Sequence, residues 1–187
     1  MERFPSIETE RLLLNRLTAE DVPAITQFAD NPNIASRTLN LPHPYAEKDA
    51  LFWISMAEHG FKSGSNFIFA IRLRKTGGFI GGMGLAPEPE FSRAEIGYWL
   101  AEPFWNQGFA TEALAAMIRF GFEQLQLNKL CASHFKTNPA SGRVMEKCGM
   151  IKEGELKEHV KKKDVYHDMV VYGLTRKDYF NWDHLGK

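Results

Sequence analysis

Residues Ala94–Leu114, AEIGYWLAEPFWNQGFATEAL, decide the reading of this chain. They run as a half-polar strand, a turn containing Pro103, and a glycine-bearing entry into a long helix. In that entry Gln107-Gly108-Phe109-Ala110-Thr111 carries little bulk near the backbone apart from Phe109. Small residues at a helix start let a ligand approach N–H groups that the first turn leaves unpaired. The positive end of the helix dipole adds to them, and the combination suits a phosphate or pyrophosphate. The first inference is an anionic cofactor held at the start of this helix.

Working outward, the strand Arg93–Leu100 is preceded by Asn66–Arg74 and Phe79–Leu85, two strands joined by a turn at Thr76-Gly77-Gly78. The helix runs from Phe109 to about Leu125, with Leu114, Met117, Ile118, Gly121 and Phe122 on one face. Upstream lie a strand at Glu10–Leu17 and a helix over Ala19–Ala29, with Thr18 as N-cap and Asp21 three residues on. The proline-stiffened loop LPHPY (Leu41–Tyr45) and a helix over Glu47–Phe61 follow, the helix presenting Leu51, Ile54 and Ala57 or Glu58 on one side. Downstream come a strand at Lys129–Thr137 and a short helix opened by Pro139 and closed by Gly149. Two last strands, Gly154–Val160 and Asp164–Leu174, meet at Lys161-Lys162-Lys163, which reads as a solvated tip. The tail Lys177–Lys187 reads as a short helix and then loose chain. No repeat or linker interrupts the order, so residues 1–187 form a single α/β (α+β) domain.

Composition agrees. A chain of 187 residues, 44% hydrophobic and 25% charged, can bury a core without a metal or disulfide. Lys+Arg and Asp+Glu both number 23, which argues against a dedicated nucleic-acid or anionic-membrane partner. No apolar run approaches the roughly 20 residues of a membrane span. Met1–Pro5 lacks the apolar stretch of a signal peptide, and Cys131 and Cys148 lack CxxC spacing. A cytoplasmic protein with free thiols is expected. The six histidines show no HExxH or close pair, so no metal is expected. The glycines between Gly77 and Gly84 lack GxGxxG spacing and open no helix, and no P-loop motif occurs.

Taken together, ETERLLL (Glu8–Leu14), LPHPY, AEIGYWL, FWNQGFATEAL and NPASGRVMEKCGM (Asn138–Met150) resemble the GNAT superfamily of acetyl-CoA-dependent N-acetyltransferases. They are most similar to its RimJ/RimL branch, whose members acetylate the N-termini of ribosomal proteins. The resemblance covers nearly the whole chain. It implies a mixed, twisted sheet of about seven strands, flanked by helices, whose fourth and fifth strands splay apart to admit acetyl-CoA. Pantetheine would pair with the backbone of Glu95–Leu100, including Tyr98, Trp99 and Leu100. The pyrophosphate would sit on the amides of Gln107, Gly108, Phe109, Ala110 and Thr111. Gly97 fits a bulge or a close backbone approach. The family's loop usually begins with Arg or Gln where this chain has Trp105, which leaves the pyrophosphate more dependent on backbone amides. A Tyr acid common in the superfamily is replaced here by Met145, and Ser141 is the implied substitute, with Asn138 orienting the cofactor near its sulfur.

Amide formation from a thioester needs a neutral amine, a stabilised carbonyl oxygen and a protonated leaving thiolate. Free α-amines have a pKa near 8 and lysine amines near 10.4, so a base is needed at neutral pH. Glu95 is the candidate base, its carboxylate expected beside an apolar wall of Tyr98 and Trp99. A backbone N–H near Ile96 would serve the oxyanion. Neither cysteine sits in a Cys–His nucleophile arrangement, so direct transfer in a ternary complex is expected. The acceptor is an amine, either a protein N-terminus, as the resemblance implies, or a small molecule such as a polyamine, amino acid or aminoglycoside. Its pocket is expected around the loop Arg37–Tyr45, including Arg37 and Tyr45, the following helix and the last hairpin. A non-catalytic acyl-CoA sensor and a nucleotide-binding regulator are the rival readings. The expected state is a monomer or weak homodimer with no direct nucleic-acid or membrane partner.

Overall fold

The computed structural model describes residues 3–183. In chain order it contains β1 (Ile7–Glu8), β2 (Leu12–Arg16), α1 (Val22–Ala29), α2 (Pro32–Ala35), α3 (Glu47–Ser63), β3 (Phe67–Leu73) and β4 (Phe79–Glu88). These are followed by β5 (Arg93–Leu100), α4 (Phe109–Arg119), β6 (Lys129–Phe135), α5 (Pro139–Lys147), β7 (Ile151–Lys162), β8 (Val165–Thr175) and α6 (Arg176–Asp183). The strands form one eight-stranded sheet in the order β1-β2-β3-β4-β5-β6-β8-β7. The strand beyond the expected seven is β1, two residues too short to show as an alternating pattern. Among the described residues only β5 and β6 pair in parallel, and α4 supplies the crossover such a pair requires.

Local chemistry sets the boundaries. Thr18 N–H donates to Asp21 Oδ2 at 2.8 Å, closing the capping box ahead of α1. Ala46 N–H does the same with Asp49 Oδ2 at 2.8 Å at the start of α3, and Gly64, at φ 72°, ends that helix in the left-handed region. The helix expected to reach Leu125 is α4 followed by a wider π turn over Phe120–Gln124. Residues 184–187 of the expected tail lie outside the described residues.

The sheet carries a core on each face. On one side α4, α5 and α6 pack on residues such as Leu14, Phe69, Ile96 and Leu130. On the other, α1 and α3 pack on Leu17, Ile68, Phe79 and Trp99. The buried face of α3 is not the one its large apolar residues predict. Ala50, Ala57 and Gly60 are buried, while Leu51, Phe52 and Met56 are exposed. The helix lies too close to the chain beneath it for bulk: a Cβ on Gly60 would stand 2.8 Å from Asn66 Cβ.

Candidate active site

The site begins where the ladder stops. β5 pairs with β4 along its whole length, from Glu88 opposite Arg93 to Gly81 opposite Leu100. With β6 it pairs only from Arg93–Lys129 to Ile96–Ala132. β6 nevertheless continues with β8 as far as Phe135 opposite Met169. Gly97–Leu100 and Ser133–Phe135 therefore part from each other while each keeps its outer neighbour, giving the splayed pair that the resemblance implies. Gly97 sits in regular register opposite Gly84, so of the two readings offered for it, a bulge or a close backbone approach, the bulge is not there.

Alternation along β5 sends Glu95 and Tyr98 to opposite faces of this gap. Glu95 is exposed, and Ser133 Oγ donates to its Oε1 at 3.1 Å. The apolar wall expected beside Glu95 is not built: Tyr98 points the other way, and Trp99 is drawn into the second core against Trp53 and Phe79, ring centroids 5.9 and 5.8 Å away. On the opposite face the Tyr98 hydroxyl lies 2.9 Å from Ser141 Oγ and donates to Ser141 O at 3.2 Å. Burial pushes the Tyr98 phenol far above its ordinary value, so the group stays neutral. Asn138 stands at the head of α5, its N–H donating to Phe135 O at 2.7 Å. Met145 is sealed in the core at 1% exposure.

The loop ahead of α4 has the geometry of an anion cradle. Asn106 and Gly108 adopt φ 59° and 80°, and the turn is completed by Glu112 N–H donating to Gly108 O at 3.0 Å. The amides of Phe109, Ala110 and Thr111 precede that bond. Gln107 spends its carboxamide on Pro103 O at 2.8 Å. Arg11, from the approach to β2, is pinned beside the loop. Its Nη1 donates to Gln107 O at 2.9 Å, its Nε to Glu112 Oε2 at 2.6 Å, and its guanidinium lies 4.5 Å from the Phe109 ring centroid. Against the upward push of burial, hydrogen bonds from Thr9 and Arg11 hold the Glu112 carboxyl below its ordinary value.

The two acceptor-side candidates separate. Arg37 is exposed, bonded to Asn33 O at 2.7 Å and poised 5.2 Å from the Trp105 ring centroid. Tyr45 is 5% exposed within the second core, its phenol pushed up to about 12 by burial and then by Asp49, so its ring does not face an open cleft. The lysine tip is also not simply solvated. Lys162 Nζ turns back to donate to Ala35 O at 2.7 Å, Thr38 O at 2.5 Å and Leu41 O at 2.9 Å, joining the last hairpin to the expected acceptor loop. Ser133 and Lys162 were not legible as site-flanking residues. Each acquires its position through partners from distant segments, and only Lys162 left a signal, a charge run with the wrong reading.

Among the described residues no helix is long and apolar enough to cross a membrane, and no three His, Cys, Asp or Glu side chains gather as a metal site would require. The family model described as acetyltransferase (GNAT) domain matches residues 11–151. An uncharacterised N-acetyltransferase of Bacillus subtilis, YoaA, is 30% identical over 174 residues, covering 92% of this chain and 98% of its own. Among solved structures, Mycobacterium smegmatis RimJ in complex with CoA-disulfide is 21% identical with a TM-score of 0.85, covering 98% of this chain and 95% of that one. Spermidine N-acetyltransferase of Vibrio cholerae, in complex with CoA and spermine, is 21% identical with a TM-score of 0.79, covering 92% of this chain and all 100% of that one. The structural likenesses show a shared fold; the family match and the B. subtilis relative show more, and the chain belongs to the GNAT acetyltransferase family as an N-acetyltransferase.

Proposed function

We propose that the protein acetylates the α-amine of a protein N-terminus, drawing on acetyl-CoA and transferring directly within a ternary complex. The observation that carries this reading is the parting of β5 from β6, with a carboxylate on one face of the gap and a Tyr98–Ser141 hydroxyl pair on the other. The residues present fit the cosubstrate. The unladdered border of Gly97–Leu100 offers main-chain donors and acceptors to a pantetheine arm, and the amides from Gln107 to Thr111 offer an anion site with Arg11 alongside. Asn138 would orient the arm near its sulfur. That solved proteins of the same fold hold CoA supports this assignment.

Acetyl-CoA, when bound, supplies the acyl thioester. Glu95 takes the proton from the incoming ammonium, directly or through one water, because an α-amine with a pKa near 8 is mostly protonated at neutral pH. Its partner Ser133 fixes the orientation of the carboxylate. A main-chain N–H near Ile96, where the strands separate, stabilises the oxygen as charge develops on it. Ser141 passes a proton to the departing sulfur and is reprotonated from solvent, while the neutral Tyr98 hydroxyl, 2.9 Å from its Oγ, holds it in place. The spermine in one structural relative favours a second reading, a small polyamine acceptor on the same machinery.

The test is thiol release with peptides copying ribosomal-protein N-termini and, in parallel, spermidine. Glu95→Gln is expected to lower kcat roughly 10²–10⁴-fold while the KM for acetyl-CoA holds. Ser141→Ala is expected to slow turnover as well. Full activity of the Glu95 variant at neutral pH would remove that residue from the chemistry, and no thiol release from the unaltered chain with any amine would end the reading.

A further inference from the structure

The guanidinium of Arg37 is exposed, yet it is held in place. Its Nη1 donates to Asn33 O at 2.7 Å, and its Cζ stands 5.2 Å from the Trp105 ring centroid. Both supports are themselves fixed. The Glu102 carboxylate accepts from Asn31 Nδ2 at 2.6 Å and from Asn33 Nδ2 at 3.0 Å, which moors α2 to the turn after β5. The Trp105 indole N–H donates to Leu100 O at 2.8 Å and its main-chain N–H to Glu102 O at 3.1 Å, so the ring keeps its setting. Among the described residues no carboxylate makes an ion-pair contact with Arg37. Its Nε and Nη2 keep their hydrogens for something else, and stacking on an aromatic face presents that fork already oriented.

Place and charge decide what that fork meets. Trp105 stands two residues ahead of Gln107, at most about 7.6 Å between Cα atoms, so Arg37 lies at the entry of the loop whose amides run on to Thr111. Four charged side chains belong to residues 100–112 or bond to or stack on them: Arg11, Glu112, Glu102 and Arg37. Arg11 and Glu112 cancel each other at 2.6 Å. Glu102 keeps its charge: bonds from Asn31 and then Asn33 outweigh burial and hold its carboxyl below its ordinary value, the Arg37 charge adding least. Without Arg37 this surround is negative and opposes an anion; with it the surround is neutral and has donors to offer. An acceptor's ammonium has the wrong sign for it. Glu95 also lies five residues before Leu100, about 17 Å along β5, which sets Arg37 apart from the reacting amine.

Resting on the reading of acetyl-CoA as cosubstrate, we propose that Arg37, carried on the segment after α2, binds the diphosphate of acetyl-CoA and does not read the acceptor. The test uses the full chain with Arg37→Met and Arg37→Lys, at an exposed position where neither change touches a core. Affinity for CoA and for dephospho-CoA, which lacks the 3′-phosphate and keeps the diphosphate, is measured by calorimetry at several salt concentrations, and acceptor-peptide KM by thiol release. Arg37→Met is expected to weaken both ligands roughly tenfold or more and to flatten the dependence of affinity on salt, with peptide KM at saturating acetyl-CoA held. Arg37→Lys keeps the charge and loses the stacked fork, so it is expected to retain the salt dependence and to fall between the other two in affinity. An unchanged CoA affinity in Arg37→Met overturns this inference alone, as does a loss whose salt dependence matches that of the unaltered chain. A loss seen with CoA but not with dephospho-CoA overturns it in favour of the 3′-phosphate, and a change confined to peptide KM overturns it in favour of the acceptor. An unaltered chain that binds neither CoA nor dephospho-CoA overturns the cosubstrate reading as well.

Discussion

Asp21 is 4% exposed and holds two partners at once. Its Oδ2 accepts from the Thr18 amide at 2.8 Å, and Arg72 of β3 donates to Oδ1 at 2.6 Å and to Oδ2 at 2.8 Å. The pair ties the start of α1 to the sheet, and its geometry is bidentate, the arrangement in which a guanidinium and a carboxylate bind best. Replacing one partner leaves the other charge buried without compensation. Asp21→Ala is therefore expected to cost about 3–5 kcal/mol in urea denaturation, more than the roughly 1 kcal/mol of a lost cap alone. The Thr18–Asp21 half of this cluster is legible in the sequence because its partners stand three residues apart. Arg72 is not, because 51 residues separate it from Asp21 and nothing local marks it. The same holds at the site. Glu95 and Ser141 can be nominated from their motifs, but the Tyr98–Ser141 contact spans 43 residues and exists only because α5 is laid against the open gap.

At the scale of elements, Lys162 joins two that the chain brings together late. Its ammonium spends its three protons on the carbonyls of Ala35, Thr38 and Leu41, and burial, then the neighbouring charge of Lys163, holds it below its ordinary value. The segment between α2 and α3 has little regular structure of its own, so these bonds are a principal constraint on it. Lys162→Met, similar in length and unable to donate, is expected to cost about 1–3 kcal/mol and to speed protease cleavage within residues 36–45 several-fold. Cleavage at the wild-type rate would show that the loop is held by other means. Strand and helix identities were largely readable because alternation, glycine turns and caps are local signals. The face that α3 buries was not, since close approach through Ala50, Ala57 and Gly60 reverses the rule that bulk points inward. An outward stripe of Leu51, Phe52 and Met56 then carries the periodicity of a buried one.

The whole molecule hangs two cores on one sheet, and a titratable group within each makes the fold sensitive to alkali. Burial pushes the Cys148 thiol from 9.0 up to about 12, and burial with Asp49 pushes Tyr45 from 10.0 to about 12. Both groups stay protonated in the fold after the unfolded chain has released its protons. Native protein then binds more protons than unfolded, and stability falls as pH rises from about 9 toward about 12, with a slope near 1.4 kcal/mol per pH unit for each group engaged. Urea midpoints are expected to decline across this window. Cys148→Ala is expected to move the onset toward pH 10, where Tyr45 begins to contribute. A midpoint flat to pH 11 would show that neither group is sealed as described.

The gap between β5 and β6 is drawn in peptide units, and no particular side chain spells them. Substitutions can accumulate along both borders while the amides and carbonyls they carry stay where they are. What such a feature does not survive is a change in count: a residue inserted into β5 or deleted from β6 would slide one border past the other and close or misalign the opening. Loss of activity by descent should therefore leave its trace as indels near Ile96 or Ala132 before it erodes the letters around them.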